Sequence, residues 1–129
     1  MVREIGSFYP IYPENQESTI SDNADALLRF SLCREALLLI AQQCAASGKR
    51  VLLPAYTCQT VIAPFVQEGW QCAFYPLNKN LRIDTVALPA LAKSFRPTLC
   101  LVHPYFGNEL NQSELNLLAE LKSLGCVLV

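Results

Sequence analysis

Two uninterrupted apolar runs, Val51-Leu52-Leu53 and Leu99-Cys100-Leu101-Val102, restrict what this chain can fold into. A strand with one wet face alternates apolar and polar residues, so a run without alternation is covered on both faces. Such cover comes from helices above and below a sheet, and stretches of helical period lie between the runs. The first run ends at Pro54 and passes through Tyr56-Thr57-Cys58-Gln59-Thr60 into Val61-Ile62-Ala63-Pro64-Phe65. That is a strand whose carboxyl end opens into a helix. Ligands of open α/β sheets bind outside such ends, so a site is expected there.

The same rhythm continues on both sides. Residues 1–25 hold Pro10, Pro13, Asn15 and Ser18 among Phe8, Tyr9 and Tyr12, which reads as an extended arm. From Ser31, a plausible N-cap, Ala36, Leu37, Ile40, Ala41 and Cys44 recur at helical steps until Gly48. Strands are expected over 50–53, 70–75, 98–103 and 126–129. Helices are expected over 57–67, over 85–94 (capped by Asp84 and interrupted by Pro89) and over 113–124. Short connections between alternating strands and helices predict a three-layer α/β/α sandwich with a mainly parallel sheet over residues 26–129. Cys126-Val127-Leu128-Val129 begins a further strand, so the sequence reads as part of a larger domain.

Charge and composition narrow the function classes. The net charge is -1, which leaves no basic footprint for nucleic acid. No apolar run reaches the length of a bilayer span, and Arg3 and Glu4 stand where a secretory signal would need another pattern. Hydrophobic residues make up 52% of the chain, enough for a sheet covered on both faces or for a surface that meets more protein. The six cysteines lack C-x-x-C spacing and sit mostly in apolar runs, as reduced thiols of a cytoplasmic protein do. With one histidine, His103, and no paired cysteines, a zinc site is not expected.

Three segments are candidates for chemistry. Ser31-Leu32-Cys33-Arg34-Glu35 opens a helix whose free N–H groups suit a phosphate, with Arg34 adding charge. Taken alone, such a segment is more often an ordinary N-cap beside a solvated arginine. Tyr56-Thr57-Cys58 offers an aromatic face, a hydroxyl and a soft sulfur to a planar ligand, or is a strand-to-helix turn capped by Thr57. His103 at the end of the Leu99–Val102 run, ahead of Pro104-Tyr105-Phe106-Gly107, is a pocket residue or a satisfied core group.

Taken in order, these segments resemble the DegT/DnrJ/StrS family of sugar aminotransferases, enzymes of the aspartate-aminotransferase fold type that use pyridoxal phosphate. Arg34-Glu35-Ala36-Leu37 is similar to the family's phosphate segment, and Val51 to Thr60 resembles its V-x-x-P-x-x-T-x-x-x-T strand and turn. Gly69, Leu81 and Asp84 fall where the family has a later G…(L/I)D pattern, and Val102-His103 with Gly107 is similar to its VH-x-x-G loop. The resemblance runs from about Ser31 to Val129. It implies a cofactor site of Cys33, Arg34, Thr57, Cys58 and His103, with the phosphate on the Cys33 and Arg34 amides. Cys33 departs from the family's glycine, and Cys58 from its stacking aromatic.

By the same resemblance, the parent enzyme would transfer an amino group from a donor such as glutamate to a keto-sugar, in nucleotide-sugar biosynthesis, as a cytoplasmic homodimer. The family's pyridine-binding aspartate and Schiff-base lysine would lie beyond Val129. The chain by itself is therefore expected to be the inactive amino-terminal part of the large domain. Two other readings stay open: a non-catalytic α/β module binding a phosphorylated ligand or a partner chain, and a generic flavodoxin-like domain.

Overall fold

The structure, a computed structural model, describes residues 30–129 together with Leu28. The arm read over residues 1–25 lies outside the described residues. Helix α1 (Cys33–Gln43) is followed by a 3₁₀ turn (Cys44–Ser47), strand β1 (Arg50–Pro54) and helix α2 (Gln59–Gln67). Strand β2 (Gln71–Tyr75), helix α3 (Ala87–Phe95), strand β3 (Leu99–Cys100), helix α4 (Gln112–Ser123) and strand β4 (Val127–Leu128) complete the order.

All four strands are parallel, in the order β2-β1-β3-β4. Val51 lies opposite Cys72 on one side and Leu99 on the other, and Leu99 lies opposite Val127. The ladder runs on past β3: the Leu101 N–H donates to the Leu52 carbonyl at 2.9 Å, and the Val102 N–H to the Val129 carbonyl at 2.7 Å. The expected strand over 98–103 is thus shorter as regular structure but extended in its pairing.

Alternation along the strands divides the interior in two. Val51, Leu53 and Leu99 point to one face, where they meet Leu37 and Ala41 of α1 and Phe65 of α2, with Trp70. Leu52 and Cys100 point to the other, among Leu88 and Ala92 of α3 and Leu117, Leu118 and Leu121 of α4. The three layers of an α/β/α sandwich follow directly. Val51, Leu52, Leu53 and Leu99 are each 0% exposed, and burial of such side chains stabilises the fold by about 1.5–3 kcal/mol apiece.

Helix boundaries differ from the sequence reading for identifiable reasons. At α1 the N-cap position belongs to Leu32, not Ser31. The Glu35 carboxylate reaches back to the N–H groups of Ser31 and Leu32 at 3.1 and 3.3 Å, so no hydroxyl is needed there. Cys58, not Thr57, is the N-cap of α2. Pro64 lies inside α2, buried against the core, and its missing N–H leaves the Thr60 carbonyl without its usual helical donor.

Asp84 does cap, but from outside α3: its carboxylate accepts the N–H groups of Val86 and Ala87, each at 3.0 Å. Pro89 then falls in the first turn of α3, where a proline is tolerated, so the helix is not interrupted. At α4 the cap is Asn111, whose side chain accepts the Glu114 N–H at 3.0 Å while Glu114 accepts the Asn111 N–H at 2.8 Å.

Gly48 joins α1 to β1 at φ +110°, a conformation that a side chain disfavours. A Cβ there would stand 3.0 Å from the Thr98 methyl, while the Thr98 hydroxyl donates to the Gly48 carbonyl at 2.7 Å. The six cysteines are free thiols. Cys100 and Cys126 are buried and Cys44 and Cys72 half-buried, whereas Cys33 and Cys58 are exposed because each lies at a helix start. Among the described residues, no helix is long and apolar enough to cross a membrane.

Candidate functional site at the switch point of the sheet

From β1 the chain moves outward through α2 to β2. From β3 it moves the opposite way through α4 to β4. Right-handed connections then place α2 and α4 on opposite faces, as the two cores show. The loops leaving the carboxyl ends of β1 and β3 therefore diverge, and a crevice opens between them. A cavity of about 380 Å³ occupies that crevice.

Its walls come from both loops. Tyr56, Thr57, Cys58 and Val61 follow β1, while Leu101, His103 and Tyr105 follow β3. Tyr105 organises the set. Its hydroxyl donates to the Tyr56 carbonyl, tying the two loops together. Its ring centroid lies 4.4 Å from that of His103 and 5.6 Å from that of Tyr56, both at tilted angles. Beneath, the Tyr75 hydroxyl donates to the Leu101 carbonyl at 2.9 Å and holds the floor in place. Tyr105 is buried, and that burial, with Tyr56 and Cys58 alongside, pushes its hydroxyl above the ordinary tyrosine range.

Cys58 sits on the rim at the amino end of α2. Its sulfur lies 2.8 Å from the Thr60 hydroxyl. The Thr60 contact, then the Val61 N–H, hold its thiol below the ordinary range. Next to the cavity, Phe106 takes φ +52° although it is not glycine, and its ring is 84% exposed. A left-handed conformation at such a residue costs on the order of 1 kcal/mol or more, and strain of this kind gathers at functional loops.

Of the five residues named from the sequence, the cavity brings together Thr57, Cys58 and His103. Cys33 and Arg34 lie apart from it, exposed in the first turn of α1. Arg34 lines a separate groove of about 170 Å³ with Pro64 and Gln67 of α2. The side chain of Gln42, late in α1, donates to Glu68 at the end of α2 at 2.9 Å, so the two helices run side by side in one direction. Their amino ends consequently face the carboxyl end of the sheet together. Sequence reasoning did not assign Tyr105 to the site; the aromatic pair Tyr105-Phe106 after His103-Pro104 was the available signal.

The arrangement suits a planar ligand. Two tyrosine rings and the His103 imidazole offer faces, the Thr57 hydroxyl offers a polar contact, and the amino end of α2 at Cys58 lies on the rim. Among the described residues, neither a lysine nor a carboxylate lines the cavity. The cavity lining thus offers faces for a planar ring and no amine to join one covalently. Compared with known proteins, the sequence matches no family model and no curated protein.

Proposed function

We propose that this chain is part of the large domain of a pyridoxal-phosphate aminotransferase resembling the DegT/DnrJ/StrS enzymes, and that the cavity between β1 and β3 receives the cofactor ring. The observation that carries this reading is the convergence of Thr57, Cys58 and His103, named from the family resemblance, on one aromatic-walled crevice at the switch point. Tyr105 and His103 would face the ring, Thr57 would hold its polar edge, and the phosphate would lie on the α1 amides of Cys33 and Arg34. In the whole enzyme the cofactor supplies an electron sink for moving nitrogen from an amino donor such as glutamate to a keto-sugar. The free thiols accord with a reducing, cytoplasmic setting, and the parent would act as a homodimer.

A second reading is favoured by the absence, among the described residues, of lysine and carboxylate from the lining: a non-catalytic α/β module that holds a phosphorylated planar ligand at the same place. Titration of the full chain with pyridoxal phosphate, followed by backbone NMR, tests the shared part. Saturable shifts at His103 and Tyr105 are expected, and no shift there would sink both readings. Arg34→Ala should weaken the affinity by about 1–3 kcal/mol, as for a charged hydrogen bond. Lys49, Lys79, Lys93 and Lys122 all lie off the cavity, so borohydride should trap no stoichiometric aldimine on them. An aspartate and a lysine encoded beyond Val129 would favour the enzyme over the module.

A further inference from the structure

A second cavity, of about 440 Å³, opens at the other end of the sheet, where β1, β3 and β4 begin. Three cations reach it from different places: Arg50 at the start of β1, Lys93 in the last turn of α3, and Arg96 in the turn before β3. Among the described residues no carboxylate lines it, and the one ion pair, Arg82 with Glu114, is elsewhere. Like charges brought together without a counter-charge repel and cost stability. Lys93 and Arg96 complement the carboxyl end of the α3 dipole, and Arg50, from another element, is drawn to the same end.

The Arg50 guanidinium is fixed in place. Its Nε–H donates to the carbonyl of Arg96, the C-cap of α3, at 2.7 Å, and the residue lines the cavity. The remaining wall is apolar. Leu121 is buried, while Leu124 is 77% exposed on the rim. Ligand pockets typically combine such a volume, an apolar wall and a few convergent polar groups.

We propose that this basic cavity is a binding site for a soluble organic anion. Its acidic group would lie among Arg50, Lys93 and Arg96, and its apolar body against Leu121 and Leu124. The site is separate from the crevice between β1 and β3 and independent of what binds there.

Anilinonaphthalene sulfonate, which joins an acidic group to an apolar body, is the probe, titrated into the full chain and followed by backbone NMR. Saturable shifts at Lys93, Arg96, Thr98 and Leu124 are expected. Shifts confined to His103 and Tyr105 would overturn the proposal. The double variant Lys93→Gln/Arg96→Asn should bind about tenfold more weakly, the equivalent of one lost charged contact. Asparagine tolerates the left-handed conformation of Arg96 (φ +52°) and the repulsion is relieved, so the thermal midpoint without probe should not fall. Should that variant fail to fold, Lys93→Gln alone gives the same reading, and unchanged affinity refutes the site. Anilinonaphthalene without the sulfonate should also bind about tenfold more weakly. Equal affinity would show a merely apolar patch. Displacement by an equal concentration of inorganic phosphate would show that the apolar wall contributes nothing.

Discussion

Cys58 combines access with activation. It is exposed, whereas burial raises Cys72, Cys100 and Cys126, and the Thr60 hydroxyl with the Val61 N–H favours its thiolate. The thiolate is the reactive form, so at neutral pH Cys58 should be alkylated well ahead of those three. Peptide mapping after brief iodoacetamide treatment measures the order. Thr60→Val removes the leading cause of activation and should slow Cys58 without changing the others. An unchanged Cys58 rate in that variant would separate its reactivity from the Thr60 contact. A saturating cavity ligand should also protect Cys58, because its sulfur forms part of the wall.

The junction between α4 and the turn before α3 depends on Glu114, 2% exposed although charged. Its carboxylate accepts from the Arg82 guanidinium at 2.6 Å, the Ile83 N–H at 3.1 Å and the Asn111 N–H at 2.8 Å. Glu114→Ala should cost about 3 kcal/mol, because an arginine and two amides lose their partner together. Glu114→Gln should cost less, since its amide oxygen still accepts one of them; equilibrium unfolding in urea gives both values. In sequence, Glu114 was legible only as a carboxylate near a helix start. Its bond to Arg82 spans 32 positions, and no local pattern encodes such a partner.

Elements with a strong local pattern were legible, by contrast. The runs at Val51 and Leu99 showed themselves as strands covered on both faces, and the carboxyl end of β1 could be named as the place for a site. Helix starts were misjudged by one or two residues where the cap lacks a side-chain signal, as at Leu32 and Cys58. Thr57, Cys58 and His103 were found because each follows a strand. The bond from Tyr105 to the Tyr56 carbonyl was not, because it joins two loops 49 positions apart.

For the molecule as a whole, buried thiols couple stability to alkaline pH. Burial pushes Cys100 up to about 12 and Cys126 to about 11, against an ordinary value of 9.0. In the unfolded chain both lose their protons near 9.0, while the folded chain retains them. The unfolded state therefore binds fewer protons above that pH. This contribution is fully present below about 9 and is lost as pH rises toward 11 and 12. Urea midpoints at about pH 8 and about pH 10 should fall for the native sequence and fall less for Cys100→Ala/Cys126→Ala. Equal slopes would assign the alkaline loss to other groups, Tyr75 first among them, since its hydroxyl is also raised by burial.

The sheet order also has a consequence for how the molecule is made. The central strand β1 is synthesised before either of its neighbours, and Arg50 waits for Thr98, 48 positions later, to close its second edge. At ribosomal speeds of about 5–20 residues per second, that interval lasts roughly 2–10 s. Throughout it, the most apolar strand of the nascent chain presents a bare edge to its surroundings. Chaperone occupancy during translation should therefore peak after Val51-Leu52-Leu53 emerges and decline once Leu99-Cys100 is free to pair.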